Sequence, residues 1–88
     1  MPDTNTPLMQ AISEVHAEVR RASSLWPAFN SPHEGFAILL EEIDELKAHV
    51  WMNQKRRDVA AMRAEAIQVA AMAVRFAIDV CGETTGRK

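Results

Sequence analysis

Tyrosine is absent from this chain, and cysteine occurs once, glycine three times and proline four times in 88 residues. Each scarcity removes a class of answer. A single cysteine, Cys81, cannot form an intramolecular disulfide, so the chain suits a reducing compartment or is indifferent to redox state. A small residue of this kind is expected buried or half-buried in the core. No Cys/His zinc spacing exists, and no glycine-rich loop is available to cradle phosphate. With no tyrosine and no β-branched clusters, no segment sustains the alternation of a strand.

Excess charge is missing too. The formal net charge is -2 with 25% charged residues, a balance unlike that of a nucleic-acid-binding domain or an acidic tail. Long apolar runs are lacking. The most apolar segment, Ala64 to Cys81, is broken by Glu65, Gln68, Arg75 and Asp79, which excludes an ordinary membrane span. The opening MPDTNTPLMQ carries an acid and no basic stretch, so no secretory signal is expected. A soluble, cytoplasmic protein that engages neither membrane nor nucleic acid is the expectation. There is no repeat and no low-complexity segment.

What remains is helical periodicity. The length suits one domain, residues 1–88, with loose ends at 1–6 and 83–88. Thr6-Pro7 reads as an N-cap followed by proline in the first helical turn, and Leu8, Ile12, Val15, Val19 and Ala22 follow at helical spacing. That helix should end near Ser24–Trp26, before Pro27. Ser31, Pro32 and Glu34 form a Ser-x-x-Glu box that opens a second helix, to about Met52. NQKRRD is a short basic loop. Asp58 caps a third helix to about Val80, with Gly82 as its C′ residue.

The third helix is apolar on two sides: Met62, Val69, Ala73, Phe76 and Val80 on one, Ala60, Ile67, Ala71, Val74 and Ile78 on the other. Such a helix is buried on two sides. Two further helices in so small a chain are expected to leave part of it uncovered, which predicts a helical homo-oligomer with this helix between subunits. The fold class expected is all-α.

The second helix poses a problem. LLEEIDELKAHV places Glu41, Glu42, Asp44 and Glu45 within five positions, although like charges one turn apart cost a helix roughly 0.2–0.5 kcal/mol per pair. On a helical wheel Phe36, Leu39, Leu40, Ile43, Leu46 and Val50 form the core stripe. Glu42, Glu45 and His49 lie along one flank, Glu41 lies toward solvent, and Asp44 is on the far side. The third helix carries Glu65 and Gln68, also three apart. If the two helices run antiparallel, the polar pairs face one another. Converging carboxylates make a hard-oxygen site suited to magnesium or manganese, which would relieve the repulsion. A solvated acidic face is the alternative, and the one expected for Glu41 and Asp44.

EEIDE followed after nineteen residues by EAIQ resembles the EExxE…ExxD pattern of MazG-like nucleotide pyrophosphohydrolases, members of the all-α NTP pyrophosphatase superfamily. The resemblance covers about Ser31 to Asp79. It implies a three-helix protomer that forms four-helix-bundle units through dimerisation, with pairs of dimers forming tetramers. The implied activity is magnesium-dependent hydrolysis of an NTP or dNTP to monophosphate and pyrophosphate. Carried across, the metal ligands are Glu42, Glu45, Glu65 and Gln68, and Glu41 orients or activates water. Gln68 departs from the pattern, where an Asp is expected. An amide oxygen ligates magnesium but carries no charge. A chain that lost catalysis, and serves as a nucleotide-binding or protein-interaction module, would show such a change.

Among substrate-binding candidates, Lys55, Arg56 and Arg57 could hold the triphosphate, with a solvated loop as the equal alternative. Trp26 and Phe29, on the connector into the acidic helix, are candidates to stack on a base. Trp51 is expected to plug the core or a subunit contact. Arg75 is expected as a counter-ion to Asp79, and His49 as a surface residue.

Overall fold

The computed structural model describes residues 6–82, which form three long helices and one short turn: α1 (Pro7–Leu25), α2 (Pro32–Val50), a 3-10 turn (Gln54–Arg56) and α3 (Val59–Asp79). The loose ends expected at 1–6 and 83–88 lie outside these residues, except Thr6. Each long helix begins on a side-chain cap. Thr6 accepts from the Met9 N–H at 3.2 Å, Ser31 from Glu34 at 3.1 Å and Asp58 from Ala61 at 3.0 Å. The expected capping box is modified: Glu34 Oε1 accepts from the N–H of Asn30, at 2.6 Å, rather than from that of Ser31. Arg57 closes the other end of α2 by donating to the Val50 carbonyl at 2.8 Å.

α3 is the spine. It packs against both α1 and α2, which do not pack against each other. Glu14 of α1 pairs with Arg63 near the start of α3, and Trp26 meets Arg75 near its end, so α1 and α3 run parallel. α2 runs antiparallel, with Gly35 against Phe76 and Glu42 near Glu65. The three helices form a slab with extents of 51 × 39 × 19 Å.

The core is small: Ala22, Phe29, Ala71 and Met72 are buried, with Val15, Val19, Ile38, Leu39, Phe76 and Val80 packed around them. Gly35 is a close-approach position, since a Cβ there would lie 2.7 Å from the Phe76 ring and 2.9 Å from Phe29. Gly82 is another, as a Cβ would collide with the Ile78 carbonyl oxygen.

Four details depart from the sequence reading. The two sides of α3 are occupied within one protomer, by α1 and α2, so two-sidedness alone does not require a second chain; Val59, Val74 and Ile78 nevertheless stay exposed. α2 is rotated relative to its expected stripe: Ile38, Leu39, Glu42 and Leu46 are partly covered, whereas Phe36, Leu40, Ile43 and Val50 are exposed. Gly35 lies on the covered line, and its missing side chain admits the Phe76 and Phe29 rings there. Finally, Trp51 is 75% exposed and plugs no core in the protomer, and Cys81 is exposed rather than buried. No helix among the described residues is long and apolar enough to cross a membrane.

Candidate metal centre

The rotation of α2 has a chemical result. Glu42 and Glu45, one turn apart, are directed at Glu65 of α3, and each of the three offers a carboxylate oxygen within 4.8 Å of the others. Glu42 and Glu65 are half-buried and Glu45 is exposed. Glu65 Oε2 is buried without a hydrogen-bond partner. Burial, reinforced by hydrogen bonding and charge from Glu42 and by the charge of Glu45, pushes the Glu65 carboxyl up from 4.5 to about 8. Three carboxyls in that space cannot all ionise cheaply unless a cation joins them. A hard-oxygen donor set with an orphaned oxygen fits magnesium or manganese.

Gln68 is placed otherwise. It faces α1, lining a recess with Glu14, Glu18 and Arg21. Glu18 is held by Arg21 through a two-pronged ion pair at 2.9 and 2.6 Å. Its carboxyl is lowered below the usual range, chiefly by that hydrogen bond, and the Gln68 amide contributes. The two halves of EAIQ therefore serve different neighbours: Glu65 turns to α2 and Gln68 to α1.

The connector from α1 to α2 crosses the C-terminal part of α3, at Arg75 and Asp79. Arg75, only 3% exposed, straps it down. Its Nη2 donates to the Pro27 carbonyl at 2.9 Å and lies 3.4 Å from that of Trp26. Its guanidinium sits 4.7 Å above the Phe29 ring. Asp79, the expected counter-ion, is 3.9 Å from Arg75 and also accepts from the Phe29 N–H at 3.1 Å. Phe29 is thus a core plug with one ring face taken by Arg75, not a free stacking platform. Trp26 is 63% exposed and remains available. The strap is the feature that sequence reasoning valued least; its signal was an arginine one turn from both Met72 and Asp79 on α3.

Between connector and helices lies a recess of about 360 Å³, reaching Glu41 and Glu42 on one side and Met72 and Arg75 on the other. Glu41 is exposed on its wall, next to the cluster but outside it. Lys55, Arg56 and Arg57 are exposed beyond the C-terminal end of α2. Arg57 is committed to capping that helix, which leaves Lys55 and Arg56 as the cations of that loop.

Comparison with protein-family models, curated proteins and solved structures finds no match to this chain.

Proposed function

We propose that this protein is a magnesium-dependent nucleoside triphosphate pyrophosphohydrolase, converting an NTP or dNTP to a monophosphate and pyrophosphate. The observation that carries this reading is the convergence of Glu42, Glu45 and Glu65 within 4.8 Å, with a buried carboxylate oxygen of Glu65 unpartnered. These three residues would hold the ion. When bound, magnesium or manganese neutralises phosphate charge and lowers the pKa of coordinated water. Glu41, on the recess wall, accepts the proton of the water that attacks the α-phosphorus. The bond between that phosphorus and the α–β bridging oxygen breaks, and the oxygen leaves with pyrophosphate. Lys55 and Arg56 meet the charge that accumulates on the leaving group. Trp26 gives the base a face to stack on.

The test is pyrophosphate release from each NTP and dNTP with magnesium or manganese. Absence of turnover with every nucleotide overturns the enzymatic reading. One observation favours a second reading, a non-catalytic nucleotide-binding or protein-interaction module: Gln68, at the fourth motif position, is turned toward Glu18 and away from the carboxylates. Calorimetry with magnesium and a non-hydrolysable triphosphate separates the two. Binding without turnover supports a module that senses nucleotide, and no binding supports a purely structural role.

A homo-oligomer, at least a dimer and in its larger form a tetramer, belongs to the same proposal. Phe36, Leu40, Ile43 and Val50 of α2 and Val74 and Ile78 of α3 are exposed apolar residues at helical spacing. They flank the small side chains of Ala66, Ala70, Ala73 and Ala77, which permit close helix approach. A second copy covering this face would complete four-helix units. Light scattering at micromolar concentration should return a mass of at least two chains, and a monomer contradicts the assembly.

A further inference from the structure

α1 has a different recess on each flank. The polar one holds Glu18, Arg21 and Gln68. The other lies between α1 and the C-terminal half of α3 and measures about 560 Å³. Ile12, Val15 and Val19 of α1 and Val74 and Ile78 of α3 line it, with His16 and Arg20 at the rim and no acid among the lining residues. Ile12 is 50% exposed and Ile78 56%, so the groove stands open in the protomer. Arg20 differs from the other arginines of the long helices. Arg21, Arg63 and Arg75 each face a carboxylate, whereas Arg20 has no ion pair among the described residues.

α2 carries the complementary shape and charge. Phe36, Leu40 and Ile43 form an exposed apolar ridge, and Asp44 lies one turn beyond Leu40 on its outer side. Asp44 too has no ion pair among the described residues. Within one chain the groove and the ridge do not meet, because α1 and α2 do not pack together. The exposed surface is large as well. It measures 6787 Å², where a compact monomer of 88 residues exposes roughly 5,200 Å². A standard interface covers about 800 Å² on each partner, less than this excess.

We propose that the groove between α1 and α3 receives the Phe36, Leu40 and Ile43 ridge of a second copy, with Arg20 of one chain against Asp44 of the other. Each chain offers one groove and one ridge, so a two-fold pair makes the contact twice. The apolar contact supplies affinity and the ion pair fixes the register. Lys47, the only lysine or arginine of α2, lies a turn beyond Asp44 toward Val50, so Arg20 belongs on the Phe36 side of Asp44. Pairing α1 with α1 would instead gather His16 and Arg20 of both chains with no acid in the groove to offset them. The proposal rests on the homo-oligomer reading and goes beyond it, bringing α1 into the interface and naming α2 as its occupant.

The test measures self-association of the full chain by light scattering over a dilution series, with circular dichroism as the check on helix content. Ile12→Glu puts a charge into the groove while leaving the exposed α2 and α3 residues intact, and should raise the dissociation constant a hundredfold or more. Arg20 and Asp44 are exposed, so their variants should keep the fold. Arg20→Asp and Asp44→Arg each set like charges together and should each raise the constant fivefold or more. The two changes in one chain should return it to within twofold of the parent. A monomeric parent overturns this proposal and the homo-oligomer reading together. A parent that associates, with Ile12→Glu and both single reversals binding as tightly, overturns the groove assignment alone. Dissociation by Ile12→Glu without rescue by the double reversal overturns α2 as the occupant.

Discussion

Replacing Glu65 by Gln tests whether the three carboxyls behave as a single charged cluster. In the folded protein the Glu65 carboxyl is raised from 4.5 to about 8, first by burial and then by Glu42 and Glu45. Between those values the native state keeps a proton that the unfolded chain has released. The stabilisation tied to this proton is complete below about pH 4.5 and is lost as pH rises through about 8. Taken at face value the shift corresponds to about 5 kcal/mol. Glu45 is exposed and its charge is screened by water, so about 2–3 kcal/mol is the working figure. For a domain of this size that is on the order of 10 °C in Tm. The assay is thermal unfolding by circular dichroism from pH 5 to 9 with chelator present. The parent should lose stability across this window, and Glu65→Gln, which is isosteric and does not ionise, should show a flatter profile and melt higher above pH 8. Glu18, lowered by Arg21, changes its contribution only below its ordinary value and so falls outside the window. With magnesium the order should reverse, because the metal binds the deprotonated parent. Parallel profiles for the two proteins, with and without magnesium, would refute the coupling of Glu65 to Glu42 and Glu45.

Three shorter tests probe other parts of the argument. Gln68→Asp places a second carboxylate beside Glu18 and should cost about 1 kcal/mol while leaving the magnesium-induced Tm shift unchanged; a larger shift would put position 68 at the metal instead. Arg75→Lys gives up the planar fork over Phe29 and the carbonyl of Pro27, so urea unfolding should show a loss of about 2–4 kcal/mol, and a loss under 0.5 would remove the strap from the argument. Gly35→Ala pushes a methyl group to within 2.7 Å of the Phe76 ring and should destabilise by about 1–3 kcal/mol in the same assay, whereas a neutral result would mean that α2 shifts freely.

The helices were legible because their punctuation is local. Thr6, Ser31 and Asp58 each announce a start that the structure uses. The three-carboxylate cluster was legible for a similar reason, as each pair member lies one turn from the next on a helix whose partner was predictable from the short loop. Rotation was less so. Phe36, Leu40 and Ile43 form a better apolar stripe on paper than the line of Gly35, Ile38, Glu42 and Leu46 that α2 turns to α3. Periodicity measures how apolar a face is and not what stands opposite it, and a glycine that admits Phe76 carries no hydrophobic signal. The role of Arg75 depends on carbonyls 48 and 49 residues away, contacts that no pattern along the chain encodes. Gln68 shows the same limit: two residues three apart share a face only broadly, and a neighbour on each side can divide them.

The absence of packing between α1 and α2 gives the molecule two stabilities instead of one. Within one protomer α1 is held by α3 and the connector alone, so it can detach while the α2–α3 pair, and with it the meeting of Glu42, Glu45 and Glu65, stays closed. Amide exchange in α1 would then proceed through a partial opening, ahead of the global unfolding that frees the amides around Glu65. The Arg75 strap is where the two units are joined, since it grips the stretch of chain that follows α1. A molecule that pulled on α1 would reach the recess at Trp26 before it disturbed a single carboxylate.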